Sequence, residues 1–200
     1  MKVVQGGVGS LERREAVRNL LAERGDALLV SGLGSPTYDV YSAGDSPANF
    51  YLWGAMGGAA LMGLGLALAA PKKSVIVITG DGEQLMGLGG LATIATHAPK
   101  NLTVVVLDNG HYGETGMQLS HTGRGLELDK VARSMGFDDT VKLESMEQIG
   151  GYASTLASPQ NKLRLAVIPI SADETPKALP PRDGVFLKNR FRQHLGLEVN

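Results

Sequence analysis

Short, continuously apolar runs alternate along the chain with stretches whose apolar positions recur every three or four residues. The runs are Ala27–Ser31, Asn49–Trp53, Ser74–Thr79, Leu102–Leu107, Thr140–Leu143 and Leu163–Ile170. They are too short for helices, and most lack the polar alternation of a one-faced strand. They therefore predict strands covered on both sides. Helices are predicted between them. The first is capped by Ser10, with Leu11, Val17, Leu20 and Leu21 on one stripe and Glu12, Arg13, Arg14, Glu15 and Arg18 on the exposed side; Arg24-Gly25-Asp26 stops it. Pro36 opens a short helix at Thr37–Tyr41, a glycine-rich helix follows Gly54, and another runs from Glu83 to about His97. Leu128–Met135, Ser145–Ala157 and a basic helix at Val185–His194 complete the set. Such alternation predicts an α/β fold: a three-layer, doubly wound, mostly parallel sheet with helices on both faces. One domain would span residues 1–200, with 171–200 as a tail and closing helix.

Two details of this pattern carry further expectations. Gly87, Gly89 and Gly90 each lower helix propensity by about 1 kcal/mol relative to alanine, which predicts a neighbouring backbone in close approach. The stretch from Phe50 to Pro71 has no charged residue and is long enough to span a bilayer. Its apolar side chains are mostly alanine and Pro71 ends it, so a closely packed covering helix is expected rather than a membrane span.

Composition narrows the partners. Nineteen basic and twenty acidic residues leave a net charge of −1, which gives no electrostatic footing for nucleic acid or an acidic membrane. With no cysteine, disulfides, thiolate metal sites and cysteine nucleophiles are excluded, and a cytoplasmic setting is favoured. The first ten residues lack the apolar core of a signal peptide.

Candidate chemistry gathers at the strand ends. In an open parallel sheet, ligands bind beyond the carboxyl ends of the strands. Gly80-Asp81-Gly82 ends one predicted strand and Asp108-Asn109-Gly110-His111-Tyr112 ends the next. Asp81 and Asn109 thereby share one edge of the sheet. Two short oxygen-bearing side chains there suit a hard, octahedral cation that also holds phosphate, while the lack of clustered histidines argues against zinc.

Gly80-Asp81-Gly82 and the later Asp108-Asn109, with a hydrophobic strand before each, resemble the diphosphate-binding motif of thiamine diphosphate enzymes, and Gly54-Ala55-Met56-Gly57 resembles a second fingerprint of that family. Asn49-Phe50-Tyr51, Leu91-Ala92-Thr93-Ile94-Ala95, Pro99-Lys100-Asn101-Leu102, Tyr112-Gly113 and Thr115-Gly116 are similar to sulfopyruvate and phosphonopyruvate decarboxylases, most of all to the separate beta subunit of the former. The resemblance covers nearly the whole chain. It implies that Asp81, Asn109 and the main-chain carbonyl of His111 ligate magnesium. Gly34, Ser35 and the amides of Gly82 and Glu83 would hold the diphosphate, with Tyr112 beside it. Met56 would prop the bent cofactor, and the Gly54 carbonyl would accept a hydrogen bond from its amino group. His111, Glu114 and His121, on the loop facing the pocket, are candidates for handling the substrate carboxylate or a proton. Arg190 and Arg192 are expected on a surface or subunit-contact face.

The implied activity is decarboxylation of a short 2-oxo acid bearing a second anionic group, releasing carbon dioxide and an aldehyde. Carboligation of the acetolactate synthase kind and a non-catalytic cofactor- or nucleotide-binding module are the alternatives. The chain departs from the family at Glu83, where relatives carry a small residue, and at Gly116–Ser120. One component is missing: the glutamate that activates the cofactor's aminopyrimidine belongs to a different domain, and no sequence remains here for one. A pyrimidine-binding alpha-type subunit is therefore expected, making a hetero-oligomer with the cofactor at the interface.

Overall fold

The computed structural model describes residues 8–173 and 175–199. Its order is α1 (Arg13–Leu21), β1 (Leu28–Ser31), α2 (Ser35–Ala43), β2 (Asn49–Tyr51), α3 (Ala59–Ala69), β3 (Val75–Gly80), α4 (Asp81–Met86), α5 (Leu88–His97), β4 (Leu102–Asp108), β5 (His111–Tyr112), β6 (Gln118–Leu119), α6 (Leu128–Met135), β7 (Asp139–Lys142), α7 (Met146–Ala153), β8 (Arg164–Pro169) and α8 (Gly184–His194). Six strands form one sheet in the order β2-β1-β3-β4-β8-β7, and all its pairings are parallel.

The apolar runs have a simple cause. Alternate strand residues face opposite sides, and both sides are covered. Leu28, Val30, Val75, Val77, Val104 and Val106 pack with α3, α5 and α6. Leu29, Ile76, Ile78, Val105 and Ile168 pack with α1, α2 and α7. The expected three layers are thus present, wound in both directions from β1 and β3.

Several local expectations are corrected. Ser10 does not cap α1; the Glu12 carboxylate does, accepting from the Arg14 and Glu15 amides. Arg13 is not on the exposed side but buried, because α2 lies against that flank and supplies Asp39 as its partner. The helix from Glu83 to His97 is two helices, broken at Gly87. A Cβ on Gly87 would lie 2.3 Å from the Gly57 carbonyl oxygen, so the close approach expected of these glycines is real and ends α4. Gly89 has open space around it and no such role. Past β4, the loop folds into the antiparallel hairpin β5–β6, which short polar segments did not foretell.

Arg190 and Arg192 are ties within the chain. Arg190 donates to Asp45 at 2.7 Å and to the Asn49 carbonyl at 3.2 Å, docking α8 beside β2, and Arg192 holds the Glu198 carbonyl. His97 ends α5, as expected of an imidazole near the negative end of a helix. No helix among the described residues is long and apolar enough to cross a membrane; α3 has 11 residues. The expectation about a signal peptide falls largely on residues 1–7, outside the described residues.

One side chain closes the far end of this layer. The Asn101 amide nitrogen donates to the carbonyls of Ala67, Ala70 and Lys73 at 2.9–3.1 Å, satisfying the end of α3 and the turn that follows it. Asn101→Ala should cost about 1–3 kcal/mol, read as a lower urea midpoint with unchanged slope.

Candidate active site

The sheet delivers the candidate residues by register. Gly80 pairs with Leu107, so Asp81 and Asp108 leave β3 and β4 side by side. Beyond these ends lies a cleft. Leu33 and Ser35 line it from the β1–α2 loop, Met56 from the turn before α3, and Asp81, Gly82 and Glu83 from the start of α4. Asn109, His111, Tyr112 and Glu114 close it from the segment after β4.

Asp81 is held by its neighbours. One carboxylate oxygen, Oδ2, accepts from the hydroxyls of Ser120 at 2.6 Å and Thr122 at 3.1 Å. The Asn109 and Gly82 amides also lie against this carboxylate, yet burial outweighs them and raises its pKa. Asp108 Oδ1 accepts from the Gly110 amide at 3.0 Å and from the Thr122 hydroxyl at 2.7 Å. Thr122 has a single proton to share between two carboxylates. Burial first, and then the nearby Asp81 charge, push Asp108 up to about 6.

This crowding favours a divalent cation. Two buried carboxylates without a counter-charge are costly, and the donor set is hard oxygen throughout. Among the described residues, no group of three or more His, Cys, Asp or Glu side chains could form a metal cage. A cation here would instead take the Asp81 carboxylate, the Asn109 amide oxygen, main-chain carbonyls and ligand phosphate, which is the habit of magnesium. The residues fit that ion.

The Asn109 oxygen accepts from the His111 amide at 3.0 Å, fixing the turn and leaving a second lone pair. His111 Nδ1 lies 2.8 Å from the Asn109 carbonyl. A carbonyl can only accept, so Nδ1 carries the proton and Nε2 is left as an acceptor. The Tyr112 ring rests on Gly82, where a Cβ would come within 2.6 Å of it; only glycine fits beneath the ring.

Ser35 begins α2, whose N-cap Gly34 (φ 75°) makes no side-chain capping bond. Pro36 carries no N–H and the Thr37 and Tyr38 amides donate to the Gly34 carbonyl, so the Ser35 amide is the donor this turn leaves for an anionic oxygen. Glu114 stands over Gly34, with Lys177 at 4.0 Å. Met56 is positioned by a strained turn in which Gly54, Ala55 and Gly57 all have positive φ (98°, 53° and 88°). At Ala55 this conformation costs on the order of 1 kcal/mol.

Glu83, a departure from the family pattern, turns away from the space a diphosphate would take. Its Oε2 accepts from the Leu33 amide at 3.0 Å and the Thr79 hydroxyl at 2.9 Å. Its Oε1 is sealed without an aligned hydrogen bond, with the Ala59 and Gly57 amides near. Burial raises its pKa against these contacts. Glu83 thus ties the β1–α2 loop to β3 from inside.

Three candidates are not part of the cleft wall: Gly34, over which Glu114 stands, Gly54 and His121. Gly54 does not line the cleft; its positive φ turns the chain just before Met56. His121 is exposed: it begins a tight turn (φ −68°, ψ −29°) that carries its neighbours Ser120 and Thr122 to Asp81 and leaves its own side chain in solvent. Four residues went unrecognised in the sequence: Asp108 as a buried charge, Ser120, Thr122 and Arg13. No local pattern marked Ser120 and Thr122, because the chain turns at His121 (φ −68°, ψ −29°) and brings both hydroxyls to Asp81 by a turn, not by strand alternation.

Residues 34–166 match the family described as thiamine pyrophosphate enzyme, C-terminal TPP binding domain. The chain is 38% identical over 185 residues to the sulfopyruvate decarboxylase subunit beta of Methanocaldococcus jannaschii, covering 91% of this chain and 96% of that one. It is 40% identical over 185 residues to the phosphonopyruvate decarboxylase of Streptomyces viridochromogenes, covering 90% of this chain but 45% of that longer one. Among solved structures, benzoylformate decarboxylase from Polynucleobacter necessarius shares the fold, with a TM-score of 0.66 at 18% identity over 85% of this chain and 36% of that one. The chain belongs to the thiamine pyrophosphate enzymes, as their C-terminal TPP binding domain.

Proposed function

We propose that this chain is the beta-type subunit of a thiamine diphosphate- and magnesium-dependent decarboxylase acting on a short 2-oxo acid with a second anionic group, as in sulfopyruvate or phosphonopyruvate. The observation that carries the reading is the convergence of Asp81, Asn109, Ser35 and Met56 on one cleft, with two hydroxyls holding one Asp81 oxygen.

When bound, thiamine diphosphate supplies the carbanion-stabilising chemistry that loss of carbon dioxide requires. The protein's part is to bind and orient. Asp81, Asn109 and the His111 carbonyl would hold magnesium; Gly34, Ser35 and the Gly82 and Glu83 amides would receive phosphate oxygens. Met56 would support the cofactor, with the Gly54 carbonyl behind it as a hydrogen-bond acceptor, and Tyr112 would pack beside it. His111 Nε2 and Glu114 face the cleft, where a substrate carboxylate or returning proton would be handled.

The partner is a pyrimidine-binding alpha-type subunit. Helix α3 is apolar all round, yet Leu61, Met62 and Leu68 are exposed, as is Met86 at the end of α4. An unpartnered apolar face of this kind fits a protein interface. The relative in which this chain covers 45% of the length leaves room for such a half within one polypeptide. The lack of cysteine suits the cytoplasm.

The test is product analysis. The chain, co-expressed with its partner and supplied with thiamine diphosphate and magnesium, is incubated with sulfopyruvate, phosphonopyruvate and pyruvate. Release of carbon dioxide with an aldehyde from an anionic substrate is the expected result. An acyloin product, or no carbon dioxide from any of them despite bound cofactor, would overturn it.

A further inference from the structure

We infer that Arg13 is a cofactor-binding residue: its guanidinium, set by the buried Asp39, contacts the terminal phosphate of the diphosphate. The inference rests on the cofactor site proposed above. Arg13 opens α1 and is only 7% exposed, and its Nε donates to Asp39 Oδ2 at 2.6 Å. Asp39, fully buried on α2, also has Arg14 Nε at 3.7 Å. With Nε committed to Asp39, neither Nη atom of Arg13 has a hydrogen bond among the described residues, and the side chain forms part of the cleft wall.

Charge makes this wall specific. Asp81 and Glu114 line the cleft, the Glu83 carboxylate being turned inward, and Arg13 is the one lysine or arginine among the described residues that lines it. One magnesium ion does not neutralise a diphosphate, so a second cation is needed, and a guanidinium fork matches phosphate oxygens. Packing alone gives little reason for the pair, since a buried ion pair is often no more stable than an apolar one of the same volume. Position selects the phosphate end. Arg13 reaches the cleft from the β8 side, where Leu11 bridges to Ile170, and Asp39 belongs to the helix whose first turn carries Ser35. Met56, which marks the ring end, follows β2 at the opposite edge of the sheet.

The test compares thiamine diphosphate with thiamine monophosphate by calorimetry, on the magnesium-loaded complex with its partner. The double variant Arg13→Gln/Asp39→Asn keeps the pair hydrogen-bonded but uncharged. The diphosphate Kd should rise roughly 10- to 100-fold, the monophosphate Kd should stay put, and thermal stability should be retained. Arg13→Lys, which keeps the charge and loses the fork, should give a smaller rise, and it decides the matter if the double variant does not fold. An unchanged diphosphate Kd, an equal rise for both ligands, or a rise confined to the KM of the 2-oxo acid would overturn the inference. Failure of the unaltered complex to bind thiamine diphosphate would instead refute the cofactor site itself.

Discussion

Asp81→Asn should abolish magnesium-dependent binding of thiamine diphosphate while leaving the fold intact. Losing the charged ligand should weaken the cofactor by more than the roughly 10- to 100-fold that loss of a mere supporting partner costs. The asparagine oxygen can still accept from Ser120 and Thr122, whose hydroxyls now hold Asp81 Oδ2. It also removes a buried charge beside Asp108, whose pKa that charge helps to raise. The cofactor-free variant should therefore melt at or above the temperature of the unaltered chain. At a hundredfold excess over Kd, ligand binding stabilises by about 2.7 kcal/mol, and this thermal shift should vanish in the variant. A variant that melts much lower without ligand would show Asp81 to be structural instead.

Loss of assembly is the second large effect. Leu61→Asp combined with Met86→Asp places two charges on the apolar face of α3 and α4, where both side chains are already exposed (41% and 62%). The isolated chain should tolerate them, since exposed substitutions usually change stability by less than about 0.5 kcal/mol. The complex should not, because a charge buried without a partner across an interface costs several kcal/mol. Size-exclusion chromatography of the co-expressed pair should then show separate subunits, with carbon dioxide release lost in parallel. Continued co-elution at full activity would move the partner to another face.

The sheet was legible because each buried strand is a continuous apolar run, and the cofactor edge because Asp81 and Asn109 follow two such runs. The interruption at Gly87 was only half visible. Its glycines announced a close approach, but that the neighbour is the Gly57 backbone is a tertiary fact. Arg13 was misread for a related reason. Among Glu12, Arg14, Glu15 and Arg18 it looks like one more solvated charge, and nothing local reveals that α2 brings Asp39 against it. Glu83 stood out in the sequence only as a departure from the family pattern, and the positions of Thr79 and the Leu33 amide show that it faces inward. His121 is exposed while its neighbours Ser120 and Thr122 reach Asp81, a consequence of the turn at His121 that residue types alone do not reveal. Long-range partners decided each of these cases, which is where local pattern carries least information.

Under the proposed function, this chain holds the cofactor's diphosphate and a second chain activates the ring. The most direct measurement is carbon dioxide release from sulfopyruvate, with saturating thiamine diphosphate and magnesium, by the purified chain, the purified partner and their mixture. Background rates are expected for each alone and turnover in the mixture, at a rate that saturates as partner is titrated to equivalence. Full turnover by this chain alone would contradict it.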